Sequence, residues 1–332
     1  MPDEFIEKFK SFNRVLLTPH ENPDADAIGS ALGLAWHLYG LGVEFRIVIS
    51  PKMPGFLEFL DTKGWIETFD QKIHKDIATW PDCWVITDAS DAGRLGRLKD
   101  SFLASSATKA YIDHHLLGCS ETFQFTRHNS EASSTCELVA EAMEDNIDMP
   151  WEMAQALYAG MVDDTGNFKF SSTTPKVLRL AASLLEKGAE PDVITRGLYS
   201  QGTLARMRLS ARTIERMSMY SEERLAVMTV SLADLEAVGA EQDDLEGLVQ
   251  KPTELRTVEI AALVYEKPDG SIKVSLRSKG KVDVNAICRS FGGGGHRLAS
   301  GAKFDKEMKA VLEEMIPAIV AAIEKYDMGT QP

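Results

Sequence analysis

The 332-residue chain has only four cysteines, Cys83, Cys119, Cys136 and Cys288, and no two of them form a Cys-x-x-C pair. That argues against a disulfide framework or a cysteine zinc site and points to reduced thiols in a cytoplasmic protein. No apolar run approaches the ~20 residues that a membrane helix needs, so no membrane role is expected. The first residues, Met-Pro-Asp-Glu-Phe-Ile-Glu-Lys, are acidic and lack the charged-then-apolar pattern of a secretory signal. Basic tracts are missing too: 36 Lys and Arg stand against 50 Asp and Glu, for a formal net charge of −14. Holding long nucleic acid through many phosphates requires the opposite sign, although a nucleotide or short oligonucleotide gripped at a few points remains compatible. There is no internal repeat or low-complexity tract. What remains, 44% hydrophobic and 26% charged residues, is ordinary for a globular protein, and the length suggests two domains.

Residues 1–190 alternate strand-like and helix-like segments, which predicts an α/β domain with a mainly parallel sheet. Short apolar strands are expected at Val15–Thr18, Phe45–Ile49, Trp84–Thr87 and Ala110–Ile112. Helices are expected at Ala27–Leu41, with Asp26 as N-cap and Gly42 at its exit, and at Ser134–Asp145, Glu152–Val162 and Val177–Lys187. A short helix from Pro191 and a longer one over Leu204–Tyr220 read as a helical linker, residues 191–221. Residues 222–332 predict a smaller α/β domain. Its strands are Arg224–Val230, Ile260–Tyr265 and, across the turn Lys267-Pro268-Asp269-Gly270, Ser271–Leu276. Helix Val282–Ser290 runs into a glycine run, and Lys306–Tyr326 is a terminal amphipathic helix.

Four segments deliver metal-binding or proton-transfer groups at the end of an element. Ala110-Tyr111-Ile112 closes on Asp113-His114-His115. Arg14–Thr18 runs into Pro19-His20-Glu21-Asn22-Pro23-Asp24-Ala25-Asp26. Cys83–Thr87 leads to Asp88, and Met161-Val162 to Asp163-Asp164-Thr165-Gly166. A polar turn with a helix cap would account for Asp26 but leaves His20 and Asp24 unexplained. A mixture of His and Asp suits a borderline divalent ion such as Mn²⁺, and the lack of Cys ligands disfavours structural zinc. In the smaller domain, Phe291 is followed by Gly292–Gly295 and His296, and consecutive glycines let backbone N–H groups approach a phosphate. Arg277, Arg289, Arg297, Lys279 and Lys281 add local positive charge. Arg94 follows Asp88 closely, as either a phosphate contact or a plain loop arginine. His37, His74 and His128 match no motif and read as structural or exposed.

The set His20-x-x-x-Asp24-x-Asp26, Asp88, Asp113-His114-His115 and Asp164-Thr165-Gly166 resembles the DHH phosphoesterase superfamily, which includes RecJ-type nucleases. Phe291–His296 resembles the signature of the DHH-associated domain. The resemblance covers nearly the whole chain in the family's order, and the two-domain length is most similar to the bacterial nanoRNase and 3′-phosphoadenosine-5′-phosphate (pAp) phosphatase group. Ala25 and Ser300 depart from the residues often found there, and neither is a metal ligand.

The resemblance implies two divalent ions, Mn²⁺ being the expected metal. His20 and Asp24 would hold one; Asp26, His114 and Asp164 the other; Asp88 would bridge them. A hydroxide shared by the ions would then attack phosphorus in line, with His115 acting at the scissile phosphate. Asp113 and Asp163 are expected to orient ligands from behind. Arg277, Gly293, Gly294, Gly295 and His296, together with Arg94, are expected to bind substrate. The implied substrates are short RNA oligonucleotides and pAp, with a homodimer left open. Two alternatives stand beside this reading: a cyclic-di-AMP or linear-dinucleotide phosphodiesterase, and a nucleotide-binding regulator without catalysis. Retention of the full ligand set argues against the second.

Overall fold

The computed structural model describes residues 3–116, 123–143 and 148–329. The chain divides into two compact units, Met1–Gln201 and Gly202–Pro332. In the first, strands β1 Arg14–Pro19, β2 Glu44–Ile49, β3 Ile66–Thr68, β4 Cys83–Thr87, β5 Thr108–Asp113 and β6 Phe125–His128 form one sheet in the order β3-β2-β1-β4-β5-β6. Every neighbouring pair is parallel. Strands of such a sheet are covered on both faces and are apolar nearly throughout. Val15, Leu17, Val85 and Ile112 enter one core, whereas Leu16, Trp84, Ile86 and Tyr111 enter the other.

The helices of this unit are α1 Glu4–Glu7, α2 Ala25–Leu41, α3 Lys99–Ala104, α4 Thr135–Ala142, α5 Trp151–Asp164, α6 Pro175–Glu186 and α7 Pro191–Tyr199. From β1 the chain works outward through β2 and β3, then returns to lay β4 against the other side of β1. The sheet order therefore switches between β1 and β4, and open α/β sheets bind ligands at the C-terminal ends of the strands at such a switch. His20 follows β1 and Asp88 follows β4.

The second unit contains α8 Leu204–Glu215, β7 Ser218–Tyr220, β8 Leu225–Val230, α9 Leu232–Val238, β9 Ile260–Glu266, β10 Ile272–Ser278, α10 Val284–Ser290, β11 Gly294–His296, β12 Ala299–Phe304 and α11 Met308–Asp327. Its sheet runs β11-β12-β10-β9-β8-β7, with β8 and β9 parallel and the other pairs antiparallel. Ile272, Val274 and Leu276 pack with residues of α10 and α11 on one face. Leu209 of α8 and Leu235 of α9 pack with Met228, Val230, Ala261 and Leu263 on the other.

Several expectations shift. Helix α2 starts at Ala25 and is capped by Asp24, whose Oδ1 accepts from Ala27 N at 3.0 Å; Asp26 lies in the first turn and faces inward. The short, partly exposed strands β3 and β6 lie at the two edges of the first sheet, where the apolar signal is weakest. The stretch 191–221 is divided: Ile194 of α7 is buried in the first core, while Leu209 of α8 is buried in the second unit. The long helix ends at Glu215, and Ser218–Tyr220 instead pairs with β8. The glycine run extends into an edge strand, β11, paired with β12.

Cys83, Cys136 and Cys288 are free and buried, and Cys119 lies outside the described residues. Among the described residues no helix is long and apolar enough to cross a membrane.

Candidate metal centre

The switch point gathers ligands from four places in the chain. His20 is nearly buried, and its Nδ1 donates to the Glu21 carbonyl at 2.8 Å. That bond leaves the Nε2 lone pair facing Asp88 Oδ2, 3.1 Å away, and Asp24 Oδ2, 3.9 Å away. His114 repeats the arrangement. Its Nδ1 lies 3.3 Å from the Ala132 carbonyl, and its Nε2 is 3.0 Å from Asp164 Oδ2, 3.6 Å from Asp88 Oδ1 and 3.9 Å from Asp26 Oδ2. A second nitrogen tied to a carbonyl is the usual way a ligating imidazole is oriented.

Three triads each bring one donor atom per residue within 4.8 Å of one another: His20, Asp24 and Asp88; Asp26, His114 and Asp164; and Asp88, His114 and His115. Asp88 belongs to two of them and lies between the two imidazoles. Its backbone is left-handed, with φ 59°, and its N–H donates to Ile112 O at 2.9 Å, so the neighbouring strand holds it at the crevice. Asn and Asp tolerate that conformation better than most residues.

Asp26 is fully buried. Its two oxygens accept from Thr135 N (2.7 Å) and Cys136 N (2.8 Å) at the start of α4. Thr135 also donates its hydroxyl to Asp88 Oδ1 at 2.9 Å. This helix N-terminus is a part of the site that the motif reading did not include. A Ser-Ser-Thr stretch before a helix was the available signal, and it reads equally well as an ordinary cap: Ser134 does cap α4. Gly160 permits the close packing around Asp26, because a Cβ there would lie 2.3 Å from Cys136 Sγ and 2.8 Å from Asp26 Oδ1.

The electrostatics describe a cavity short of positive charge. Burial, followed by the charges of Asp164 and Asp24, pushes the Asp26 carboxyl up to about 6 against the pull of His114. Burial and the neighbouring aspartates Asp26, Asp24 and Asp164 likewise raise Asp88. Burial raises Asp164 despite its contact with His114. Burial also works against a charged His114, but the hydrogen bond to Asp164 and the charges of Asp26, Asp164 and Asp88 outweigh it and carry the imidazole to about 10. A protonated imidazole thus supplies positive charge that a bound cation would otherwise bring. These donors fit divalent ions: mixed imidazole and carboxylate, oriented from behind, and destabilised when left as carboxylates alone.

Asp113 and Asp163 lie behind these groups. Asp113 is buried, and its Oδ1 accepts from His115 Nδ1 at 2.7 Å and from His115 N at 3.1 Å. Burial opposes its ionisation, but His115 and Ser90 together hold it below the usual carboxylate range. His115 Nδ1 is thereby occupied, although it lies only 3.7 Å from Asp88 Oδ1. Asp163 Oδ2 accepts from Ala25 N at 3.3 Å at the start of α2, and burial followed by the charge of Asp24 raises it to about 6. The Arg94 carbonyl accepts from Glu21 N at 2.7 Å, which ties the loop after β4 to the loop carrying His20. Of the unassigned histidines, His74 bonds Glu67 and Asp70, and His128 donates to the His115 carbonyl.

Comparison with known proteins gives the family. Residues 14–161 match the DHH family N-terminal domain and residues 223–326 match the DHHA1 domain. The chain belongs to the DHH phosphoesterase family. It is 29% identical over 317 residues to the bifunctional oligoribonuclease and PAP phosphatase NrnA of Thermus thermophilus, covering 92% of this chain and 91% of that protein. With NrnA of Bacillus subtilis it shares 28% over 306 residues, covering 91% and 93%. The crystal structure of an exopolyphosphatase-related protein from Bacteroides fragilis superposes with a TM-score of 0.88 at 30% identity, covering 98% of this chain and 95% of that one.

In the DHHA1 unit, Arg277 on β10 and His296 on β11 are both in register with Ala299 on the intervening β12. Directly opposed residues project from the same face of a sheet. Ser275 and Gly301 pair on that face one step along, and both are only partly buried. Gly293 and Gly295 pack against β12: an added Cβ would lie 2.2 Å from Gly301 O and 2.6 Å from Ala299 O respectively. Burial lowers the affinity of the half-buried Arg277 guanidinium for its proton, and its Nη1 donates to Leu276 O at 3.0 Å.

Proposed function

We propose that this chain is a Mn²⁺-dependent phosphohydrolase that cleaves short oligoribonucleotides to mononucleotides and dephosphorylates pAp to AMP. The observation that carries the reading is the pair of triads, His20–Asp24–Asp88 and Asp26–His114–Asp164, which meet at the sheet's switch point where Asp88 Oδ1 lies 3.6 Å from His114 Nε2. Two NrnA relatives alignable over nine-tenths of both chains favour these substrates over others of the family.

A divalent pair held by these six residues supplies the Lewis-acid charge on which phosphoryl transfer draws. His20 and His114 present Nε2 because carbonyl oxygens occupy their Nδ1 atoms. Asp88, steadied by Thr135, belongs to the first triad and reaches His114 of the second. With Nδ1 held by Asp113, His115 has Nε2 to offer a proton to the leaving oxygen. Asp163 anchors the start of α2, which carries Asp26. In the DHHA1 unit, Arg277, His296 and the backbone of Gly293–Gly295 bind the rest of the substrate, with the guanidinium taking a phosphate. Arg94 serves as a further phosphate contact.

The test is parallel turnover of pAp, a labelled RNA dinucleotide, a 20-nucleotide RNA and cyclic di-AMP with added Mn²⁺. Turnover of pAp and the dinucleotide should exceed that of the long RNA, and binding should show a shallow salt dependence because few phosphates are neutralised. Exclusive turnover of cyclic di-AMP, or preference for the long RNA with a steep salt slope, would refute this reading.

A further inference from the structure

The segment that follows Asp164 folds into an unusual turn. Asn167 and Phe168 both adopt left-handed backbone, each with φ 60°, directly after Gly166 at φ 56°. Left-handed conformations in successive non-glycine residues are uncommon, and strained backbone of this kind concentrates where a side chain must be aimed. Here the turn is pinned from within. The Thr165 carbonyl accepts from both Lys169 N (2.9 Å) and Phe170 N (3.0 Å), and the buried Thr165 hydroxyl accepts from Phe168 N at 3.0 Å. Phe170 is thereby folded back to within a hydrogen bond of the residue after Asp164.

The two phenylalanines of this turn have opposite fates. Phe168 packs against the core beside Tyr158. Phe170 is 59% exposed, and its ring lies over Gly166, where a Cβ would come within 2.4 Å of it. Glycine at that position leaves room for the ring as well as allowing the backbone angle. A second exposed ring belongs to the same end of α5. Tyr199, 48% exposed, has its hydroxyl 3.4 Å from Val162 O. Burial and then the charges of Asp163 and Asp164 hold its proton on, to about 12, which makes it a neutral hydrogen-bond donor beside the carboxylates. Aromatic faces exposed at the rim of a polar centre are poorly explained as core, because they bury little.

We propose that Phe170, with Tyr199 at the same end of α5, forms the platform on which a nucleobase of the substrate stacks while the adjoining phosphate is held at the His–Asp cluster. Every base has a π-face, so such a platform accepts short RNA of any sequence as well as the adenine of pAp. Stacking of this kind holds the ground state and the transition state alike, so its loss raises KM and leaves kcat nearly intact. The inference rests on the phosphohydrolase reading above and adds two positioning residues to it.

The experiment compares wild type, Phe170→Ala, Phe170→Trp and Tyr199→Ala on pAp, a dinucleotide and the same dinucleotide with abasic sugars. Quenching of a 2-aminopurine dinucleotide on binding in Ca²⁺ is followed in parallel. Phe170→Ala should lose about 5- to 150-fold in kcat/KM on base-bearing substrates, almost all of it in KM. The loss should be much smaller on the abasic dinucleotide, quenching should weaken, and Phe170→Trp should restore both. Tyr199→Ala should likewise raise KM on base-bearing substrates while sparing the abasic dinucleotide. Equal losses on abasic and base-bearing substrates, a loss confined to kcat, or no loss at all would overturn the stacking platform while leaving the phosphohydrolase reading intact. If wild type neither hydrolyses nor binds any of these nucleotides, both readings fall together.

Discussion

Nε2 of His114 lies 3.0 Å from Oδ2 of Asp164, so a single imidazole ties the end of strand β5 to the end of helix α5. Those two groups are fifty residues apart in sequence. That contact and the surrounding carboxylates favour a proton on His114.

The first prediction concerns that proton. Asp26 and Asp163 move from 3.8 to about 6 on folding, and Asp88 and Asp164 move in the same direction. A raised pKa stabilises the fold below the unfolded value, and that contribution is lost as pH rises through the folded value. For Asp26 and Asp163 the loss falls between 3.8 and about 6; for His114 it falls between 6.5 and about 10. Metal-free protein should therefore become less stable as pH rises through both windows. Divalent ions bind the deprotonated groups and reverse that loss. The Tm difference between Mn²⁺-loaded and chelator-treated protein should widen from pH 5 to pH 8, with protons released on titration. A gap that stays constant over this range would contradict it.

The second prediction separates charge from shape at Asp88. Its left-handed backbone makes Asp88→Asn a better probe than alanine, because Asn tolerates φ 59° while removing the negative charge. Hydrolysis should fall by more than the roughly 10- to 100-fold that outer partners of metal ligands are worth. Circular dichroism should be unchanged, and Mn²⁺ stoichiometry should drop. Full metal content with near-normal turnover would remove Asp88 from the centre.

Much of this architecture is legible in the residues, for identifiable reasons. Strands β1, β4 and β5 are buried on both faces, so their centres stand out as unbroken apolar runs, whereas β2 carries Arg46 within its run; the ends of all four are found to within two residues. The polar residue after each run is where chemistry sits in a parallel sheet, and that rule locates His20, Asp88 and His114. Strands β3 and β6 escape because an edge strand keeps polar and exposed positions, such as Thr68 and Thr126. Sequence alone reads Asp26 as the cap of α2; the structure gives the cap to Asp24 and turns Asp26 inward toward Thr135 and Cys136. Thr135 gives only the signal of an ordinary helix start, since its role depends on the N-terminus of α4 meeting two aspartates 109 and 47 residues away.

A third prediction tests the packing behind the cluster. Gly160→Ala would place a methyl group 2.3 Å from Cys136 Sγ and 2.9 Å from Asp26 Cα. Backbone and buried sulfur cannot yield cheaply, so the variant should lose about 1–3 kcal/mol of stability, the usual cost of overpacking. Because α2 carries Asp26, Mn²⁺ affinity should weaken as well. Denaturant melts and a metal titration read the two effects; loss of stability with unaltered metal affinity would mean that Asp26 is held independently of this packing.

The last prediction concerns the DHHA1 unit. Arg277 and His296 are in register with the same residue, Ala299, and so share one open face made of small residues. Two interstrand spacings separate them, roughly 10 Å, a distance that a nucleotide can bridge. Metal ions can hold only the scissile phosphate; alignment of the remainder needs other groups and can be worth several kcal/mol. Removing one charged hydrogen bond to phosphate should cost ~1.5–3 kcal/mol, or about 10- to 100-fold in kcat/KM. Arg277→Ala and His296→Ala should each show that loss on pAp and on an RNA dinucleotide, with Mn²⁺ content unchanged. A small generic phosphodiester, which offers nothing beyond its phosphate, should be hydrolysed by both variants at close to the wild-type rate. If both kinds of substrate suffer equally, the face formed by Arg277, Ala299 and His296 is structural and binding of the substrate's remainder must be sought elsewhere.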